Sequence, residues 1–458
     1  MENFDALDAL KSYIRFPSVS TDSNYIVSMS HARDFVCSLL RKIGFKITIV
    51  ETDCHPIIYA ERFTGPDNPH VVLYGHYDVQ PADPLDLWDS EAFEPVIKDN
   101  KIYGRGAADN KGPTIVHIAA LINVLNKNPN LPINISYVIE GEEEMGSPSM
   151  SKFFDQYGTK LSKADFMIVS DTGSPSRNQL VITTGLRGLV EMEIEIVGPK
   201  LDLHSGIHGG PIVNPLHVLS KILSSLHKID GSVDIPGFYD DISPIQEWER
   251  KELKKYPFDI NKYMGTLCIN HLNKPRGTPP FEAFRFEPTL EINGLGGGYQ
   301  GEGTKTIIPS RAFAKITCRL VSGQDGQKIQ ELIVKKIKKE SLPGVQLNIR
   351  KGCHANAYTI IPPHKANLNS FDKILDNCFK SSELAIKKYF GNEPLYVKEG
   401  GSIPVIADFK HRAGLDSIMI GLFTPEDNLH APNESFDLEL MDKAIKVFQD
   451  IFTDLSKN

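Results

Sequence analysis

Val71-Val72-Leu73-Tyr74-Gly75-His76-Tyr77-Asp78 reads as a short apolar strand that ends in a glycine and two ligand-type side chains. A continuous apolar run of this length suits a strand buried on both faces of a mixed or parallel sheet. At a period of two residues, His76 and Asp78 point the same way. Open α/β sheets place their sites beyond the carboxyl ends of their strands. Working outward, strands are expected at 46–50 and 56–60, a long apolar helix at 113–125, and further strands at 133–139 and 166–169. An amphipathic helix at 31–43, stopped by Gly44, precedes them. This order predicts a layered α/β domain with helices on both faces of the sheet.

The pattern changes near residue 185. Glu191–Val197 alternates with period two, and Asn214-Pro215 opens a helix with an N-cap and a first-turn proline. Residues 228–284 are rich in Pro, Gly and charge and read as an irregular insertion. Strands near 287–293 and 312–321, a helix at 325–339 and a strand at 345–351 complete a β-α-β-β-α-β order, that of a ferredoxin-like sandwich. Gly294-Leu-Gly-Gly-Gly298 has no helix after it and reads as a turn rather than a nucleotide loop. From about residue 355 the α/β character returns. The expected architecture is an α/β domain made of 1–185 and 355–458, interrupted by a smaller α+β domain at 186–354.

Composition excludes several functions. The chain has 458 residues, a formal charge of −8 and 41% hydrophobic residues, so it can bury a large core without metals or disulfides as staples. Its basic stretches are short. Lys335-Lys336-Ile337-Lys338-Lys339 has the spacing of a solvated helix face, so no nucleic-acid partner is expected. No apolar run approaches the ~20 residues of a membrane span. The N-terminal residues lack a signal pattern. Six scattered cysteines without a C-x-x-C pair fit a reducing, cytoplasmic setting. Asn134-Ile135-Ser136 matches a glycosylation acceptor but falls in an expected strand.

The chemistry collects at strand ends. His76 and Asp78 follow the first strand. Asp109 sits in the glycine-rich turn Tyr103-Gly-Arg-Gly-Ala-Ala-Asp-Asn-Lys-Gly112, just ahead of a helix. Glu140-Gly-Glu-Glu-Glu144 follows the strand at 133–139, and Asp171 the strand at 166–169. His430 lies in Asp427–Glu434. Each has a plainer local reading: a core histidine, an N-cap, a solvated acidic run. Taken together, two His with several carboxylates form a ligand set for Zn²⁺, Mn²⁺ or Co²⁺ rather than Ca²⁺. They are too many for one tetrahedral zinc and suit two ions with a bridging carboxylate.

In motif order along nearly its whole length, the chain resembles the dinuclear-metal aminoacylase, carboxypeptidase and dipeptidase family. The likeness is strongest to its cytosolic dipeptidase and carnosinase branch. The stretches that carry the likeness are Gly75-His-Tyr-Asp-Val-Gln-Pro-Ala-Asp83, Tyr103-Gly-Arg-Gly106, Asp202-Leu-His-Ser-Gly206, Thr304-Lys-Thr-Ile-Ile-Pro-Ser310 and Glu399-Gly-Gly-Ser-Ile-Pro-Val405. The resemblance implies a zinc-peptidase-like catalytic domain with a lid and dimerisation domain. It implies that His76 and Asp171 bind one divalent ion, that Glu144 and His430 bind the other, and that Asp109 bridges them. Asp78 would orient His76. Glu143 would be the general base that takes a proton from the metal-bridging water. Glu142 competes for this role on local sequence, and the family's Glu-Glu-x-Gly-Ser order selects Glu143. His204 would reach the active site of the partner subunit of a homodimer and stabilise the oxyanion. Arg319, locally an edge-strand charge, would clamp the substrate's free carboxylate. Thr306, His354, Glu399 and Ser402 match further substrate positions. The implied reaction is hydrolysis of dipeptides or short peptides; the alternative is deacylation of N-acyl amino acids.

Overall fold

The computed structural model describes residues 4–366 and 372–457. A nine-stranded mixed sheet occupies the centre. The strand His70–His76 runs parallel to Asn134–Glu140 on one side and to Phe166–Val169 on the other. Both neighbours are buried at every residue. That two-sided burial is why Phe166–Val169 is apolar throughout and Asn134–Glu140 mostly so. Ser417–Ile420 pairs in parallel with Phe166–Val169, so the C-terminal part of the chain rejoins the same sheet. Val181–Leu186 lies antiparallel to Ser417–Ile420, and Lys46–Val50 with Ile57–Arg62 closes the far edge.

The strand pleat sorts the helices onto two faces. On the Gly75 face, a side chain at that position would meet Asn110 and Thr114 at the start of the helix Gly112–Lys127. That helix packs with Leu438–Leu455, where Phe448 meets His117 edge to face. On the opposite face Tyr74 packs against Phe409 of the helix Pro404–Ala413, which also packs on Phe154. Among the described residues, no helix is long and apolar enough to cross a membrane.

A second, four-stranded antiparallel sheet has the order Thr289–Gly297, Arg311–Leu320, Gly188–Val197, Gln346–Ala355. With the helices Pro215–Ser224 and Gly326–Glu340 it forms the ferredoxin-like sandwich, with its own apolar core around Ile194, Ile222, Ile316 and Ile333. The Asn214 side chain caps its helix by accepting from the Leu216 N–H at 2.9 Å.

Two local expectations change. The region read as irregular contains the helices Glu247–Leu253, Ile260–Thr266 and Pro280–Phe286. Each is a turn or two long and too short to show a helical period. The glycine run at 294–298 is not a turn. Gly294 to Gly297 extend the strand that begins at Thr289 and pair with Lys315 to Ala312. A Cβ at Gly296 would fall 2.4 Å from the Phe313 ring, so the glycines let that ring lie across the strand. Asn134 is buried, and its side chain accepts from the Thr64 N–H at 2.7 Å and donates to the Gly65 carbonyl.

Candidate metal centre and substrate pocket

The ends of the parallel strands converge on two groups of ligand atoms. His76, Asp109 and Asp171 form one; Asp109, Glu144 and His430 form the other. Asp109 belongs to both. Its Oδ1 lies 3.1 Å from His76 Nε2, and its Oδ2 lies 3.0 Å from His430 Nε2. Asp171 Oδ1 is 3.9 Å from His76 Nε2, and Glu144 Oε2 is 3.4 Å from His430 Nε2. His76, Glu144 and Asp171 come from the ends of three central strands and His430 from a late loop, whereas Asp109, expected at a fourth strand end, lies in the turn that leads into the helix Gly112–Lys127.

A second tier of bonds fixes these side chains. His76 Nδ1 faces both the Asp78 carbonyl, at 3.1 Å, and Asp78 Oδ1, at 3.3 Å. That leaves Nε2 turned to the shared site, the arrangement typical of a metal-binding imidazole. Asp78 Oδ2 accepts from Ser20 Oγ at 2.7 Å and from the Glu144 N–H at 3.1 Å, so one carboxylate braces ligands of both groups. Glu434 accepts from the N–H groups of Gly106, Ala108 and Asp109 and from Arg105, which pins the turn that carries Asp109. Asn110 Nδ2 donates to Asp171 Oδ1 at 3.0 Å, and Gln80 Nε2 to Glu144 Oε2 at 2.9 Å. Ser20, Gln80, Asn110 and Glu434 were not singled out in the sequence. Gln80, Asn110 and Glu434 have proximity to the ligand motifs as their signal there, and Ser20, far from all of them, has none.

The charges are poised for cations. Burial raises the Asp109 carboxyl, but hydrogen bonds from His430 and His76 outweigh it and hold the group well below the usual carboxylate range. Burial first, then repulsion from Asp109, pushes Glu144 up to about 8. Burial raises Glu143 well above its ordinary value; His76 opposes the shift, and Asp171 and Glu144 add to it. Buried carboxylates this close retain protons unless positive charge offsets their repulsion. Two His and three carboxylates arranged as two triads with a shared member fit two divalent ions.

The acidic run after Asn134–Glu140 divides by role. Glu142 is buried, and its carboxylate accepts from the N–H groups of His55 and Ser149 and from Ser149 Oγ. It ties the loop together. Glu140 accepts from Tyr74 Oη at 2.7 Å, and burial pushes it up to about 8. Glu143 makes no side-chain hydrogen bond among the described residues, and its charge couples to His76, Asp171 and Glu144.

The remaining expected residues fall into three places. Arg319 lies on an interior strand between Thr289–Gly297 and Gly188–Val197, so the edge-strand reading does not hold. Its Nη1 donates to Ser402 Oγ at 2.7 Å, and Glu399 stands on the same loop. His204 and Thr306 meet on a two-stranded ribbon, where the Ser205 N–H donates to the Thr306 carbonyl at 3.0 Å. Both side chains are exposed. His354 pairs with Val190, whereas Arg319 pairs with Leu189, so the two side chains leave opposite faces of the small sheet. A Cβ at Gly326 would lie 3.3 Å from His354 Cβ, which places His354 at the start of the helix Gly326–Glu340, apart from Arg319 and Ser402.

A cavity of about 250 Å³ adjoins the metal centre. Gly173, two residues past Asp171, and Leu429, next to His430, line it with Tyr256, Arg285, Glu399 and Phe423. A larger cavity of about 600 Å³, walled by Tyr25, Trp88 and Phe93, includes none of the expected ligands.

Known proteins resemble this chain along most of its length. The family model for peptidase family M20/M25/M40 matches residues 72–454. The Cys-Gly metallodipeptidase dug1 of Schizosaccharomyces pombe is 30% identical over 96% of this chain and 93% of its own length. The Beta-Ala-His dipeptidase of Mus musculus is 30% identical over 88% of this chain and 80% of its own. The crystal structure of an M20 family metallo-carboxypeptidase, Sso-CP2 from Sulfolobus solfataricus, covers all of both chains at 30% identity with a TM-score of 0.87. With its strand-end ligand groups and these relatives, the chain belongs to peptidase family M20/M25/M40 and is a metallopeptidase.

Proposed function

We propose that the chain hydrolyses the peptide bond of dipeptides or short peptides with a free carboxylate, using two divalent ions. The observation that carries this reading is the pair of ligand triads sharing Asp109 beside an unpaired, half-buried Glu143. In this reading residues 1–185 and 355–458 hold the chemistry, and residues 186–354 act as lid and dimerisation domain.

His76 and Asp171 would hold one ion, Glu144 and His430 the other, with Asp109 between them. Bound there, divalent ions supply Lewis acidity and lower the pKa of water. Zn²⁺ and Mn²⁺ suit the donors, and Co²⁺ is a third candidate. Glu143 acts as general base and returns the proton to the leaving amine. Its neighbours raise its affinity for a proton, which matches that shuttle. Asp78 holds the His76 ring in place. Arg319, whose fork can bind a carboxylate bidentately, holds the substrate's carboxyl end together with Ser402.

His204 and Thr306 stand exposed on one ribbon, a position suited to completing the site of a second subunit. There the His204 imidazole donates to the developing oxyanion. In this reading the working unit is a homodimer.

The test is direct. Metal-loaded protein is given a mixed pool of free dipeptides and N-acyl amino acids, and mass spectrometry follows what disappears. Loss of the free dipeptides is expected. Loss of the acylated substrates alone would contradict this reading and move the enzyme to deacylation with the same residue roles.

A further inference from the structure

The cavity of about 250 Å³ beside the metal centre carries two opposite charges that the reaction outlined above does not fully use. Glu399 projects into it from the loop after Leu395–Lys398. The Glu399 carboxylate approaches the backbone of Gly173, where a Cβ would lie 3.8 Å from Oε1. Arg285 enters from the opposite side, on the helix Pro280–Phe286 of the inserted region.

Arg285 is clamped. Its guanidinium lies 4.0 Å from the Phe281 ring centre and 5.1 Å from that of Tyr256. Stacking of this kind fixes the plane of the fork. Among the described residues, no carboxylate lies within salt-bridge distance of it. Its only side-chain hydrogen bond to the backbone is a long one, 3.4 Å, to the Phe281 carbonyl, and its Nε has no partner.

The surroundings add positive charge. Arg187 is buried; its guanidinium donates to the Ala283 carbonyl at 2.8 Å, and its Nε has no partner among the described residues. Arg319 is near enough to repel Arg187, as is Arg285. Of the nearby acids, Glu287 is held by Arg276 and Thr278, and Glu291 is exposed. Lys398 is paired with Glu249. Glu399 is the carboxylate that faces Arg285 across the cavity; a ligand ammonium group that occupies Glu399 leaves Arg285 and its guanidinium neighbours complementary to an anion on the same ligand.

We propose that this cavity receives the amino-terminal residue of the substrate and that Arg285 selects an acidic side chain there. The inference rests on the peptidase reading, in which Arg319 and Ser402 take the carboxyl end. The amino-terminal residue then places its ammonium group on Glu399. A chamber of about 250 Å³ exceeds what an ammonium group needs, and a carboxylate on the same residue completes the pairing with Arg285. Asp-X and Glu-X dipeptides carry both charges on one residue. Arg285 is thus a specificity-determining residue.

The experiment compares kcat/KM for Glu-Ala, Gln-Ala and Ala-Ala in the metal-loaded enzyme, then in Arg285→Gln and Arg285→Lys. Glu-Ala and Gln-Ala differ in charge at nearly constant shape. The wild-type enzyme is expected to favour Glu-Ala over Gln-Ala by about tenfold or more. The ratio falls toward one in Arg285→Gln and is partly restored in Arg285→Lys. A wild-type ratio near one, or a ratio unchanged by Arg285→Gln, overturns the inference while dipeptide turnover leaves the peptidase reading standing. Absence of turnover for all three dipeptides overturns both. The wild-type ratio decides the matter even if a variant does not fold.

Discussion

The metal centre and the lid ribbon are built on opposite terms. Four of the five expected ligands are held by something behind them: His76 by Asp78, Asp171 by Asn110, Glu144 by Gln80, and Asp109 by its own hydrogen bonds and the backbone turn fixed on Glu434; the fifth, His430, is half-exposed and meets its fellow ligands Asp109 and Glu144. His204 and Thr306 sit on the exposed ribbon, where the His204 ring is held by the Gly206 N–H, which donates to Nδ1 at 3.0 Å, and both side chains remain open to solvent. Metal ligands must hold their geometry before the ion arrives, so the fold restrains them from several directions. Residues that meet a substrate or a second subunit must stay open until it comes. The contrast separates what one chain completes from what it offers.

The largest effect should come from the centre of the restrained region. Glu143→Gln is expected to lower kcat by about 10²–10⁴-fold with metal content unchanged. Metal analysis beside the assay checks it, and lost metal would make Glu143 a ligand instead of a base. On the open side, His204→Ala is expected to lower kcat by about 10²–10³-fold, the usual effect of removing one oxyanion donor. If His204 serves a partner's site, mixing Glu143→Gln with His204→Ala subunits restores activity. Random pairing then gives about a quarter of the wild-type rate, from one complete site in half of the dimers. No recovery on mixing would place His204 in its own subunit's site and erase the contrast.

A smaller effect belongs to the bracing groups. Asp78→Asn should weaken metal binding by about 10–100-fold, measurable by chelator competition, because the His76 ring loses its orienting carboxylate. Unchanged affinity would mean that the Asp78 carbonyl alone positions the ring.

The smallest is a pH effect beneath the metal end. His117 is buried with Ser170 Oγ 2.9 Å from its Nε2, and burial lowers its pKa to about 3. The unfolded chain takes up a proton near pH 6.5 that the folded chain refuses. Stability should therefore fall as pH drops from about 6.5 toward 3. By pH 5 the loss from this group is about 2 kcal/mol. Denaturant titrations of the wild type and His117→Asn at pH 8 and pH 5 check it. The variant should lose that much less, and parallel losses would contradict the assignment.

The same contrast explains what the sequence made legible. Strand-end chemistry is written locally: an apolar run, then a His or a carboxylate, repeated along the parallel strands. His76, Asp109, Glu144 and Asp171 could be gathered on that basis, with His430 added to complete the donor set. Local sequence left Glu142 and Glu143 level; the order of the resembled motif selected Glu143, and in the structure Glu142 is engaged with His55 and Ser149. The substrate side depends on contacts between distant segments. Arg319 reaches Ser402 across 83 positions, and nothing near either residue encodes that meeting. Arg285 lay in a stretch whose short helices leave no periodic signal. His354, expected near the substrate by resemblance alone, sits on the other face of the small sheet, because strand register decides the face and local sequence does not state the register.

The central claim is that two triads sharing Asp109 hold two divalent ions in one chain. The measurement is the number of Mn²⁺ or Zn²⁺ ions retained per chain after reconstitution and removal of excess metal, in the wild type and in Glu144→Ala. The account predicts two ions in the wild type and one in the variant, which keeps only the triad of His76, Asp109 and Asp171 intact. One ion per wild-type chain, or two retained without Glu144, would contradict it.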